Sequence, residues 1–309
     1  MDELQLRRER AQNLWDRAVQ KISPLERSSE MTAVPEVGGD RIGGLAVAQE
    51  EVLTYACAMT NPEVYAHWGT FPPAGLLLIG ARGAGKKLLA EALATRAQTG
   101  FLRIRVPRLA VEIMHHGGKV RELLDHWSAA LAEMPPLTVF FEELEFSQAQ
   151  ELGARRPDLP VGPIMDFLLE FVDRAIQVDN TLAVASTAHP DTLRPAFLMP
   201  GRFERVVEVS PAYPDDIVAA LEIHARDAEK RAGRSLFANV EWNQVVRQLR
   251  EAMTGDWIRL MHGVLRRKAR CEAADESVAP VSTEDLVAEV ERFRRATDRL
   301  PHDGAGNYV

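Results

Sequence analysis

The sequence predicts an α/β fold: a parallel sheet sandwiched by helices, followed by a small all-helical domain. Three observations predict it. Short apolar segments at Gly75–Ile79, Phe101–Val106, Leu137–Phe141, Leu182–Ser186 and Val206–Val209 have the length of strands. Helical stretches, among them Lys87–Ala97, Val120–Glu133 and Ile164–Asp173, lie between most of them. That alternation calls for a parallel sheet covered on both faces. Beyond residue 213 the strand signal stops, and Asp215–Ala232, Trp242–Ala252, Asp256–Ala274 and Thr283–Arg295 all read as helices.

The ends and joints follow from local chemistry. Residues 3–23 read as one helix, because Leu14 and Ala18, Trp15 and Val19, and Ala18 and Ile22 are spaced by four beside Arg7, Arg8, Glu9 and Arg10. Pro24 stops it. Its apolar stripe either packs on its own domain or binds a partner. Residues 24–40, with Ser28-Ser29, Pro35 and Gly38-Gly39, read as a linker. The α/β domain is expected over 41–211 and the helical domain over 212–295, where Ser282 or Thr283 caps the last helix. Residues 296–309 read as a polar, flexible tail.

Composition excludes several classes. The 309 residues carry 37 basic and 45 acidic side chains, a net charge of −8. Such a balance argues against a protein held on nucleic acid or anionic lipid by bulk charge. Hydrophobic residues are 46%, enough for a core and against global disorder. Two cysteines, Cys57 and Cys271, make neither a disulfide framework nor a C-x-x-C zinc pair. Apolar runs such as Leu76-Leu77-Leu78-Ile79 are far too short to span a bilayer. Met1-Asp2-Glu3-Leu4 lacks the features of a signal peptide. A cytoplasmic protein with no membrane span is expected.

Gly80-Ala81-Arg82-Gly83-Ala84-Gly85-Lys86 fits G-x-x-x-x-G-K between a strand and a helix, the context a phosphate-binding loop requires. Glycines let backbone N–H groups turn inward around phosphate oxygens, and the helix N-terminus adds positive dipole. Lys86 reaches the β- and γ-phosphates in such a loop. The next residue is normally Ser or Thr, whose hydroxyl holds Mg²⁺. Here it is Lys87. An ammonium has no lone pair and cannot ligate a metal. Lys87 therefore either points to solvent and leaves a weak metal site, or lends its charge in place of part of the cation's. Further on, Leu137–Phe141 ends in Glu142-Glu143. In phosphate-loop enzymes the first acid, normally Asp, helps hold Mg²⁺, and in many of them the second polarises the attacking water. Glu142 is one methylene longer than Asp, and Glu143 matches the catalytic position.

These blocks, taken with three others, resemble the classic AAA branch of the AAA family of P-loop ATPases over about residues 40–295. Arg41-Ile42-Gly43-Gly44-Leu45 resembles the segment that borders the adenine. Asn61-Pro62-Glu63-Val64-Tyr65 and Phe71-Pro72-Pro73-Ala74-Gly75 resemble the approach to the loop. Residues 185–205, which end in Pro200-Gly201-Arg202-Phe203-Glu204-Arg205, resemble the family's second region of homology. The resemblance implies an ATP or ADP site that includes Ile42, Gly43, the loop itself, Lys87, Leu88 and Gly255. It implies a helical lid domain and assembly with further copies or related AAA subunits in a hexamer-like ring. It also implies a protein client or partner. Arg202 and Arg205 fall where the family's arginine fingers reach a neighbour's nucleotide; alternatively they bond to local carboxylates.

The departures matter as much. The sensor asparagine that contacts the γ-phosphate or the attacking water falls at Ala188, the usual Asp-Gly at Val172-Asp173, and the small pair of the lid at Gly255-Asp256. The pore segment falls near Ile113-Met114-His115-His116-Gly117 and has no aromatic residue. No H-E-x-x-H occurs, and the chain ends after the lid, so the metalloprotease fused to some relatives is not expected. Lys87, Glu142 and Ala188 share one chemical role, at Mg²⁺ and the γ-phosphate. The leading expectation is thus a nucleotide-binding AAA protein with weak or abandoned hydrolysis, structural or regulatory in a ring or helical assembly. Two alternatives stand beside it: an active ATPase that remodels protein complexes, and a nucleotide-free scaffold that recruits a partner through its N-terminal helix.

Overall fold

A computed structural model of the chain describes residues 3–115, 120–145 and 161–297. They form two compact units. One comprises residues up to 39 with 47–80 and 86–209; the other comprises 40–46, 81–85 and the residues from 210 onward.

The first unit opens with α1 (Glu3–Lys21) and α2 (Ser23–Ser28), where Pro24 takes the first turn of the second helix, a place that needs no N–H. Strand β1 (Ser29–Thr32) follows. Helices α3 (Ala46–Thr54), α4 (Cys57–Thr60) and α5 (Glu63–His67) lead to β2 (Gly75–Ile79). Then come α6 (Lys86–Arg96), β3 (Gly100–Arg105), α7 (Val106–His115), α8 (Val120–Glu133) and β4 (Leu137–Glu142). Helix α9 (Val161–Ile176), β5 (Thr181–Thr187) and β6 (Arg205–Glu208) complete the unit. Among the described residues the sheet runs β1-β3-β4-β5-β2-β6. All neighbours are parallel except β1, which pairs antiparallel with β3, Met31 opposite Leu102. The central strands are buried on both faces, which is why they read as unbroken apolar runs.

One face of the sheet packs a core against α1, α2, α7, α8 and α9. Trp127 stacks on Phe171 at 4.5 Å and donates its indole N–H to the Phe171 carbonyl at 3.0 Å. Trp15 of α1 meets Trp127 edge-on at 6.3 Å and is 4% exposed, and Ala11 is 2% exposed. The stripe formed by Ala11, Leu14, Trp15, Ala18 and Val19 thus packs inside the unit to which α1 belongs. The segment 24–40 differs from a linker in holding α2 and β1. Four residues, three of them polar, carry no strand periodicity of their own; β1 forms because β3 offers it an edge.

The second unit contains α10 (Asp215–Ala232), α11 (Trp242–Val246), α12 (Thr254–Glu272) and α13 (Thr283–Thr297). Leu221, Val246, Trp257, Met261, Val264, Leu286 and Val290 form its core. α10 ends at Gly233 in a left-handed cap whose N–H bonds to the Glu229 carbonyl. α11 stops at Val246, earlier than the sequence pattern suggests, because Gln248 and Leu249 bond three residues back and tighten the chain into turns. His116 and Gly117 of the pore segment and the tail from 298 lie outside the described residues.

Candidate nucleotide-binding site

The phosphate loop begins where β2 ends. Gly80 has φ +151°, and a Cβ there would lie 2.2 Å from the Val209 carbonyl oxygen, so no other residue fits. Its N–H bonds to Thr187 O on β5 at 3.2 Å, and Val209 N–H bonds to Ile79 O at 2.7 Å. The start of the loop is thus clamped between two strands. The Lys86 ammonium folds back and donates to the Gly80 carbonyl. Lys87 is exposed in the first turn of α6, and Leu88 is half-buried beside it.

The acids stand at the end of β4. Glu142 accepts Arg103 Nε at 2.9 Å and Nη2 at 2.7 Å, and Arg103 Nη1 reaches Glu30 on β1 at 3.1 Å. Burial works against the charged guanidinium, but hydrogen bonds and charge from Glu142 and then Glu30 hold the Arg103 pKa above its usual value. Glu143 has φ +57°, with its N–H 3.4 Å from Ser186 Oγ. That turn separates its direction from that of Glu142. Glu145, two residues on, carries no motif signal, yet it is 3% exposed. Its Oε1 accepts the N–H of Ala188 at 3.2 Å, while Oε2 has no hydrogen-bond partner among the described residues. The sensor position is thereby tied to β4 through its backbone.

Both arginines of the 200–205 block pair with carboxylates of the same unit. Arg202 grips Asp173 with Nε at 2.5 Å and Nη2 at 2.8 Å, and Nη1 donates to Ala196 O at 2.7 Å. Asp173, in the second position of the altered Asp-Gly pair, raises the Arg202 pKa. Arg205 pairs with Glu51 of α3, which raises its pKa likewise.

The helical unit holds the remaining residues. Ile42 is 5% exposed. Gly43 lies so close to α10 that a Cβ would come within 2.1 Å of Ala220 N. The segment is fixed by Asp216, whose Oδ2 accepts Leu45 N–H at 2.9 Å and Ala212 N–H at 2.8 Å. Asp216 had no sequence signal beyond its place in the first turn of a helix. In the middle of the loop, Ala81 and Gly83 are exposed, Arg82 and Gly85 half-buried and Ala84 buried. Gly255 N–H donates to Gly83 O at 3.0 Å, so the N-terminus of α12 meets the loop backbone with no side chain on either partner. Asp256 is committed elsewhere: its Oδ2 caps α12 through Met253 N–H at 3.1 Å. His224 on α10 is half-buried, and burial first, then His262, lower its pKa.

Gly80 stands where no side chain fits and Lys86 folds back on its carbonyl, while Gly83 and Gly85 in the other unit take φ of +81° and +103°, the backbone demands that a phosphate-binding loop makes on glycine. The donor set does not fit a divalent cation. Lys87 offers no lone pair, and the Glu142 carboxylate is engaged by a guanidinium. Among the described residues no group of three or more His, Cys, Asp or Glu is placed to hold a metal ion. No described helix is long and apolar enough to cross a membrane.

Comparison with known proteins agrees with this geometry. The family model "ATPase family associated with various cellular activities (AAA)" matches residues 76–211, from β2 to just beyond β6. Protein CdcH of Halobacterium salinarum is 26% identical over 87% of this chain and 37% of its own length. The proteasome-activating nucleotidase of Methanopyrus kandleri is 32% identical over 70% of this chain and 51% of its own. The cell division cycle protein 48 homolog of Archaeoglobus fulgidus is 30% identical over 68% of this chain and 28% of its own. The chain thus spans from about a quarter to a half of the length of these relatives. A phosphate loop after β2, an acidic pair after β4 and an arginine block before β6, in one matched stretch, place the chain in the AAA family of P-loop ATPases.

Proposed function

We propose that the protein binds ATP or ADP through loop 80–86 in the cytoplasm and hydrolyses it weakly or not at all, acting as a structural or regulatory subunit of a ring-like or helical AAA assembly. The observation that supports this is the Arg103–Glu142 pair: the acid that would help seat Mg²⁺ is charge-paired within its own sheet. The loop backbone and Lys86 would hold the phosphates, with Ile42, Gly43, Lys87, Leu88 and Gly255 as further nucleotide contacts. Each lost transition-state contact costs on the order of 10²-fold or more in rate, though such losses do not simply add. Arg202 and Arg205, once released from Asp173 and Glu51, would serve a neighbouring subunit, either another copy or a related AAA chain. Steady-state turnover of the purified chain is expected far below about 1 s⁻¹. Turnover at or above that rate, abolished by Glu143→Gln, would refute the proposal.

That refuting result is also the signature of a second reading, an active ATPase that remodels protein complexes. Lys86 and Glu143 favour it, since both keep their identities, and Glu143 sits in a turn fixed by Ser186. Burial of Ala11 and Trp15 within their own unit speaks against the third reading, a nucleotide-free scaffold that recruits a partner through its N-terminal helix.

A further inference from the structure

Arg103 joins three neighbouring strands. It stands on β3; Glu142 ends β4 on one side, and Glu30 lies on the edge strand β1 on the other. Two of its nitrogens converge on the single oxygen Glu142 Oε2, and the third reaches Glu30. The Arg103 and Glu142 side chains are only 21% and 22% exposed, while Glu30 is 55% exposed. The stronger contact is therefore the more sheltered one, and salt screens it least. A guanidinium does not deprotonate at any working pH, so the cluster always holds one fixed positive charge between its two carboxyl groups.

We infer that Arg103 sets the cation specificity of this nucleotide site. Its guanidinium supplies, from within the sheet, positive charge at the carboxylate where a divalent ion would otherwise be drawn, and it leaves binding of the polyphosphate indifferent to Mg²⁺. The inference rests on the nucleotide-binding reading above and adds the residue responsible. Removing the guanidinium raises the cluster from one net negative charge to two and frees a hard carboxylate ligand of the kind Mg²⁺ and Mn²⁺ prefer. Glu30 anchors the guanidinium from its far side without touching Glu142.

The test uses the full chain and ADP, titrated by calorimetry in EDTA and again with Mn²⁺, with free Mn²⁺ followed by electron paramagnetic resonance. Wild type is expected to bind ADP with the same affinity, within about twofold, in both conditions. Arg103→Gln is expected to bind ADP at least tenfold more tightly when Mn²⁺ is present. Arg103→Gln combined with Glu142→Gln is expected to lose that gain, and Glu30→Gln alone to stay indifferent. Tenfold tightening in the wild type overturns the inference, whether or not the Arg103 variants fold. So does an Arg103→Gln protein that folds and remains indifferent to Mn²⁺. A wild type that binds no ADP at all refutes nucleotide binding instead. The role of Arg103 is then decided by Mn²⁺ alone, which Arg103→Gln must bind at least tenfold more tightly than wild type.

Discussion

Trp15→Ala tests whether α1 belongs to the α/β core or is free to dock elsewhere. Trp15 is 4% exposed and meets Trp127 edge-on. A buried indole removes about 200 Å² from water, which at about 25 cal/mol per Å² gives about 5 kcal/mol as an upper bound. Measured truncations of this kind cost about 3–5 kcal/mol, and the cost depends on how far the hollow collapses. Here it collapses little, because Trp127 is held by its hydrogen bond to Phe171 O and by stacking on the Phe171 ring. A loss of about 4 kcal/mol is therefore expected, seen as a fall of about 8–16 °C in the melting temperature of the α/β unit. Urea titration followed by tryptophan fluorescence and circular dichroism measures it. Leu6→Ala on the same helix, at a side chain 48% exposed, is expected to change stability by no more than about 0.5 kcal/mol. If Trp15→Ala costs less than about 1 kcal/mol, well below the usual range for a buried tryptophan, the helix is not packed as described, and a partner-docking role for it returns.

Three further outcomes are expected. Asp216→Ala strips the acceptor from Leu45 N–H and Ala212 N–H and is expected to cost about 2–3 kcal/mol in a thermal melt and to weaken ADP binding, with Asp216→Asn intermediate. Glu145→Gln keeps an acceptor for Ala188 N–H while removing an ionisable carboxyl from a buried place, so its melting temperature is expected to equal or exceed wild type, whereas Glu145→Ala is expected to lose about 1–3 kcal/mol. His224 and His262 both have pKa values lowered first by burial, so the unfolded chain takes up their protons before the folded chain does. Stability of the helical unit is then full above about pH 6.5 and falls as the pH drops below it. Unfolding midpoints from pH 8 to 5 check this, and His224→Gln is expected to flatten the slope.

How much could be read in advance depended on the range of the interaction. Strands β2, β4 and β5 were legible because burial on both faces leaves a nearly unbroken apolar run, visible in any window of five or six residues, whereas the edge strand β6 and its end show only Val206, Val207 and Val209. The phosphate loop was legible because Gly80 answers a local backbone demand. β1 was not, since Ser29–Thr32 has no period and borrows its structure from β3. The charge pairs were illegible for a different reason. Glu142 finds its partner 39 residues away, Arg202 finds Asp173 at 29, and Arg205 finds Glu51 at 154. No local pattern encodes such matches, so the sequence supplied the charged residues and the fold chose their partners. Glu145 carries no signal beside the two acids of the motif, because nothing local distinguishes a buried glutamate from a solvated one.

Those three pairs differ in how easily they open, and the difference bears on the proposed role. Arg205 is half exposed and meets Glu51 in water, where a single ion pair is weak and screened by salt. A phosphate group brought near it by another subunit would compete on favourable terms, since a guanidinium binds phosphate in the same forked geometry. Arg202 is held more firmly, by both oxygens of Asp173 and by a carbonyl, and its release needs a matching replacement for three hydrogen bonds. Arg103 is as sheltered as Arg202, each 21% exposed, but it is also embedded in the sheet and bonded to two carboxylates on different strands. The order of release is therefore Arg205, then Arg202, then Arg103. On the proposed function this order separates what the chain gives from what it lacks. The arginines that would act on a neighbour's nucleotide are the ones that can leave their partners, and the arginine that occupies its own cation-seating acid is the one that stays.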